Sequence, residues 1–177
     1  MKKISLFAIA VLLSIFSLHC GYSTRSNLPG QLRSIYIETF KNKITYTAEG
    51  KRTLYLPLLE QKVRNAIISR YLFDGNLRIA ESPESADLVL KGELLNYERS
   101  GLRYTDNNDV QEYRIQITVS LNMWDTHKQE ARWNEPSFVG ETDYFVTGTQ
   151  AISEDAALEK ATLDLARRIV ERTVEDW

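Results

Sequence analysis

Residues 110–124 constrain this chain more than any other stretch. Tyr113, Ile115, Ile117, Val119, Leu121 and Met123 alternate with Glu112, Arg114, Gln116, Thr118, Ser120 and Asn122. A period of two is that of a strand with one dry and one wet side. The wet side carries no large apolar residue between 112 and 122, so the sheet is covered on one face only, as is common for antiparallel sheets and rare for parallel ones. The dry face needs a second layer, and the chain offers two amphipathic helices to supply it.

The first of these is predicted over residues 54–72. Leu59, Val63, Ala66, Ile67 and Tyr71 recur at spacings of three and four, with Pro57 near the start and Gly75 just past the end, the usual boundary residues of a helix. The second opens at Ser153 as N-cap, with Glu154 and Asp155 in the first turn where the helix dipole favours acids. Its stripe is Leu158, Ala161, Leu165 and Ile169, flanked by Ala166 and Val170. Further strands are expected at 33–40, briefly at 77–80, at 86–97 and at 131–146. Gly92 is expected to mark a bulge or a close backbone approach, and Pro136 a break or a sheet edge. Residues 41–52 and 99–109 read as loops. With no internal repeat and no domain boundary, this order predicts one two-layer α+β domain over 32–177, with two helices on one face of a mainly antiparallel four-stranded sheet.

The N-terminus adds a compartment. Lys2 and Lys3 precede an uncharged apolar stretch from Ile4 to Leu18, and then comes Cys20, the single cysteine. Fifteen residues fall short of the roughly 20 that span a bilayer as a helix, so residues 1–19 read as a secretory signal peptide. A cysteine directly after such a stretch, followed by Gly21, is similar to the cleavage site of bacterial lipoproteins, whose thiol takes a diacylglycerol. Ser17 and His19 stand where that pattern usually has leucine and a small residue. Cys20 is thus the expected lipidation site and 20–31 a lipidated tether. Removing residues 1–19 from 177 leaves 158 residues, with 20 basic side chains against 24 acidic. A chain of that size buries enough surface for one core without a disulfide. Its acidic balance speaks against nucleic acid as a partner.

Chemistry is scarce. After cleavage one histidine remains, His127, and no free thiol, so thiol nucleophiles and two-histidine metal sites are excluded. Asp125 beside His127 reads as a solvated turn, because no serine in a strained elbow accompanies it. Residues 106–109 lack the glycine and distal glutamate of a calcium loop. There is no phosphate-binding glycine loop. No enzyme, cofactor or metal is expected, and binding remains. Lys41 and Lys43, in a loop that also holds Tyr46, Lys51 and Arg52, and Arg99 and Arg103 beside Tyr104, are candidates for an anionic amphiphile, whose phosphate meets the cation and whose apolar part meets the ring. The uncharged Gln116, Thr118, Ser120 and Asn122 are candidates for a wet protein interface.

Several stretches together resemble one family: Cys20-Gly-Tyr-Ser23, Ser34-Ile-Tyr-Ile-Glu-Thr-Phe-Lys-Asn42, Arg70-Tyr-Leu-Phe-Asp-Gly75, Ala86-Asp-Leu-Val-Leu-Lys-Gly-Glu93, Glu112-Tyr-Arg-Ile115 and the terminal Asp176-Trp177. In order and spacing the chain is similar to the LptE family of lipopolysaccharide-assembly lipoproteins. The resemblance implies a lipid-anchored protein on the periplasmic side of the outer membrane that plugs a large LptD-like β-barrel, helps it assemble and assists delivery of lipopolysaccharide, with direct lipopolysaccharide contact through basic residues. The alternative is a periplasmic lipoprotein that activates a peptidoglycan synthase or forms part of a secretion channel, since such proteins share the strand, helix, Ala-Asp-Leu-Val-Leu-Lys-Gly outline.

Overall fold

The computed structural model describes residues 28–44, 56 and 58–175. Cys20, the leader, the tether as far as residue 27, Tyr46, Lys51, Arg52, Pro57 and Trp177 lie outside the described residues.

Strand β1 (Ser34–Ile37) is followed by the two-residue β2 (Lys41–Asn42), helix α1 (Leu59–Asp74), the two-residue β3 (Arg78–Ile79) and a single 3₁₀ turn at Pro83–Ser85. Three long strands come next, β4 (Leu88–Tyr104), β5 (Val110–Asp125) and β6 (Glu130–Phe145), and helix α2 (Glu154–Glu175) closes the fold. The sheet runs β3-β1-β4-β5-β6, with β2 also on β4. It has six strands and is mixed, which corrects the expected four-stranded, mainly antiparallel sheet. The β4–β5 and β5–β6 ladders are antiparallel, whereas β1 lies parallel to β3 and β4, and β2 parallel to β4. Between β1 and β4 the chain crosses over through α1, and a helical crossover returns a strand in the same direction.

Helix α1 begins later than residue 54. Leu58 holds a left-handed conformation with φ 62°, and its carbonyl accepts from the Gln61 and Lys62 N–H groups, so the first helical turn forms at Leu59. At the other end Gly75, with φ 76°, donates its N–H to the Tyr71 carbonyl, a left-handed cap that glycine adopts without steric cost. In α2 the Ser153 hydroxyl accepts from the Ala156 N–H at 3.2 Å, the expected N-cap.

Ile115, Ile117, Val119, Leu121 and Met123 are buried under the helices, and each contributes about 1.5–3 kcal/mol by leaving water. They meet Leu59, Val63, Ile67 and Tyr71 of α1 and Leu158, Ala161, Leu165 and Ile169 of α2 in one core. Two glycines set how closely its parts approach. The Phe40 ring occupies the space where a Gly92 side chain would be, and Leu165 occupies it above Gly140.

β4 departs most from expectation. Its pairing with β5 slips at Leu95, at Leu102 and, on the β5 side, at Gln111, and each bulge in β4 swaps which residues face the helices. Leu88, Leu90 and Leu94 point inward before the first bulge, and Tyr97 and Arg99 after it. The strand therefore runs on through 99–104, where no simple alternation signals it.

Candidate interaction surface

The middle of the sheet face away from the helices is a polar surface. Along β5 it carries Glu112, Arg114, Gln116, Thr118, Ser120 and Asn122, every one half-buried. At one end two charge-assisted bonds of 2.7 and 2.8 Å join Arg114 to Asp143, and the guanidinium holds the Asp143 carboxyl below the usual carboxylate range. Gln116 donates to Glu141 at 2.8 Å. Beyond this pair the pattern changes. The side chains of Thr118, Ser120 and Asn122 make no hydrogen bond among the described residues, so a strip of neutral donors and acceptors lies open across the middle of the sheet.

Lys41 joins that strip. Its Cα partner is Glu93, and it lines a shallow depression with Lys91, Ser120, Asn122 and Asn134. Lys43 reaches Glu93 at 3.1 Å. The structure thus brings Lys41 together with Ser120 and Asn122, two sets of residues that the sequence left separate.

Arg99 and Arg103 lie elsewhere. From Glu93 to Arg99 is six residues, about 20 Å along a strand, and the bulge at Leu95 turns Arg99 to the helix side. There its guanidinium lies 4.6 Å from the Tyr113 ring centroid and forms an ion pair with Glu154 at the start of α2. Tyr97 donates to the same carboxylate at 3.0 Å, and Tyr113 stacks on Tyr144 with centroids 5.9 Å apart. Burial first, then the neighbouring Glu154 charge, pushes the Tyr97 hydroxyl far above its ordinary range. Tyr97, Tyr144 and Glu154 are partners that the sequence reading missed. Glu154 was accounted for by its place in a first helical turn, and only the bulge brings β4 side chains to it. Arg103 returns to the polar face, 3.4 Å from Glu112 and over the Phe145 ring. Leu102 and Tyr104 beside it are exposed, so the hairpin end presents an ion-paired arginine next to apolar side chains.

His127 and Asp125 form no acid–base pair. Asp125 is buried and accepts from the backbone N–H groups of His127 and Lys128, both at 3.0 Å. The His127 ring instead meets Asp87 at 2.7 Å. Asp87 also accepts from the Arg33 and Ser34 N–H groups and the Ser34 hydroxyl. Desolvation raises its pKa, but these bonds outweigh it and bring the carboxyl down to about 2. It is a structural clasp at the entry of β1. No group of acids, histidines or cysteines that would hold a metal occurs among the described residues.

The family model of LptE, lipopolysaccharide assembly, matches residues 32–173. The chain belongs to the LptE family. It is therefore a non-enzymatic lipopolysaccharide-assembly lipoprotein. No curated protein sequence matches it. Among solved structures it is similar in fold to a Xanthomonas campestris protein from a family of unknown function, at 13% identity and TM-score 0.59, covering 84% of this chain and 87% of that one. A hypothetical protein of Chlamydia trachomatis aligns at 15% identity and TM-score 0.54, over 80% and 95%. An uncharacterised lipoprotein B of Nitrosomonas europaea aligns at 12% identity and TM-score 0.52, over 83% and 88%. At such identities these likenesses speak to the fold alone.

Proposed function

We propose that this LptE-family protein is anchored by Cys20 on the periplasmic side of the outer membrane, plugs the lumen of a large LptD-like β-barrel, helps that barrel assemble, and assists delivery of lipopolysaccharide. The observation that carries the plug reading is the open strip of Thr118, Ser120 and Asn122. Barrels of this size enclose a polar, water-lined lumen, and uncharged hydrogen-bonding groups suit contact with such a wall, directly or through water. Charged groups would cost more to desolvate. The edge strand β3 is two residues long, and the edge of β6 is capped in part by side chains of α2. Arg168 donates to the Val139 carbonyl, and Asp164 accepts from the Glu141 N–H at 3.1 Å.

In this reading Gln116 takes part in the barrel contact with Thr118, Ser120 and Asn122. Arg103, with Leu102 and Tyr104 beside it, meets the anionic glycolipid. Arg99 supports that end of the hairpin, and Lys41 and Lys43 supply positive charge at the far side of the strip. Detergent extraction of the tagged, full-length protein tests the proposal. Recovery of a stoichiometric outer-membrane barrel is expected, and recovery of a peptidoglycan synthase in its place would overturn it.

A further inference from the structure

One hollow adjoins the polar strip and shares Lys91 with the depression beside Lys41. Tyr36, Val89 and Trp124 are consecutive cross-strand partners on the polar face, an apolar row on a side otherwise given to polar groups. Val89 is only 3% exposed there. Beside this row is a hollow of about 550 Å³ with Pro83, Val89 and Trp124 as its apolar wall and Glu38, Lys91 and His127 among its polar rim. That volume is within the roughly 300–1,000 Å³ usual for small-molecule sites. The Trp124 indole N–H has no hydrogen-bond partner among the described residues. Over its ring lies the Lys91 ammonium, 5.8 Å from the centroid, on a half-exposed side chain that also reaches the Glu38 carboxylate at 4.0 Å. His127, by contrast, is fixed by Asp87 at 2.7 Å.

We propose that this hollow binds an uncharged sugar ring, with Trp124 as its stacking platform. A pyranose presents a C–H face that packs on an indole and a rim of hydroxyls that both donate and accept. The hollow offers the same division, with donors on Lys91 and Trp124 and an acceptor on Glu38. Its carboxylates, Glu38, Glu84 and Asp87, outnumber its single lysine, which disfavours a phosphate. Its open, polar rim disfavours a buried acyl chain. The inference rests on the lipopolysaccharide-assembly reading and deepens it: the sugar belongs to the glycan of the glycolipid. The site is separate from the basic hairpin end, because Trp124 lies twelve residues along β5 from Glu112, the partner of Arg103, or about 40 Å.

The test is nuclear magnetic resonance titration of the folded protein with core oligosaccharide that has been deacylated and dephosphorylated, alongside a titration with intact lipopolysaccharide. Saturable shifts of the Trp124 indole N–H and of residues 83–91 and 124–129 are expected, unchanged between low and high salt. Trp124→Leu keeps Val89 covered and is expected to weaken this binding at least tenfold, while Trp124→Phe keeps it within a few-fold. Intact lipopolysaccharide that binds while the oligosaccharide does not would overturn this inference alone. Failure of both to bind would overturn it together with the glycolipid reading. Oligosaccharide binding that survives Trp124→Leu would move the sugar elsewhere and overturn the site.

Discussion

Gly140 lies directly beneath Leu165, and a Cβ at position 140 would come within 2.6 Å of the Leu165 Cα. Helix α2 can rest on the outer strand of the sheet because that strand has no side chain there. The contact is backbone against backbone, so neither side can yield by changing rotamer. Gly140→Ala is therefore expected to destabilise the fold by about 1–3 kcal/mol, the usual cost of overpacking. Urea unfolding followed by circular dichroism checks it, with a lower midpoint and an unchanged slope.

The two helices are tied by the Tyr71 hydroxyl, which donates to Thr173 Oγ1 at 2.8 Å in a fully buried setting. Thr173 in turn donates to the Ile169 carbonyl at 2.9 Å and keeps that bond when Tyr71 is altered. Tyr71→Phe should therefore cost only about 1 kcal/mol, the net value of one hydrogen bond, whereas Tyr71→Ala should cost about 3–5 kcal/mol by opening a cavity. Thermal melts of both variants separate the two terms.

Asp87 makes stability depend on acid. Its folded pKa of about 2 lies below the ordinary value of 3.8, so its contribution is present in full above pH 4 and is lost as the pH falls through 2. Asp87→Asn should be less stable than the wild type by about 1–3 kcal/mol near neutrality, from the bonds it weakens. That gap should close as the pH falls from 5 towards 2. Denaturant unfolding at a series of pH values measures it, and a gap that widens on acidification would contradict the assignment.

The four basic candidates should divide in glycolipid binding. Arg103→Gln is expected to weaken binding of intact lipopolysaccharide by several-fold at low salt and less at high salt, with a loss of stability of no more than about 1 kcal/mol, since the arginine of the Arg103–Glu112 pair is itself largely exposed. Arg99→Gln should lower the melting temperature as well, because it leaves Glu154 and Tyr97 without their cation. Neutralising Lys41, Lys43, Arg99 and Arg103 together should weaken binding most, and unchanged binding would remove all four from the glycolipid contact. In the full-length protein Cys20→Ser is expected to abolish labelling by a radioactive fatty acid.

What the sequence made legible follows from how each element is held. β5 alternates without interruption and is covered on one side, so every core residue from Ile115 to Met123 could be assigned from its spacing. The stripes of α1 and α2 were equally plain, and Ser153 and Gly75 marked ends by ordinary capping chemistry. β4 was not legible beyond Tyr97, because bulges at Leu95 and Leu102 break the period that identifies a strand. The same slips hid the group of Tyr97, Arg99, Tyr144 and Glu154, whose members are far apart in the chain. Strand β2 is two residues, too short to show a period; β3 falls within the short strand expected at 77–80, but the parallel pairing of both comes from the crossover, which alternation does not encode. The Trp124 hollow was missed because it is assembled from the 3₁₀ turn, β4 and the β5–β6 turn together.

The central claim is that the neutral strip on the sheet holds the barrel, and the triple variant Thr118→Lys, Ser120→Lys, Asn122→Lys tests it most directly. All three side chains lie outside the core, so the variant should melt within a few degrees of the wild type. Co-purification from detergent-solubilised outer membranes, with the tagged wild type in parallel, is the measurement. The wild type is expected to recover the barrel in one-to-one ratio and the folded variant to recover little or none. A variant that brings down as much barrel as the wild type would contradict it.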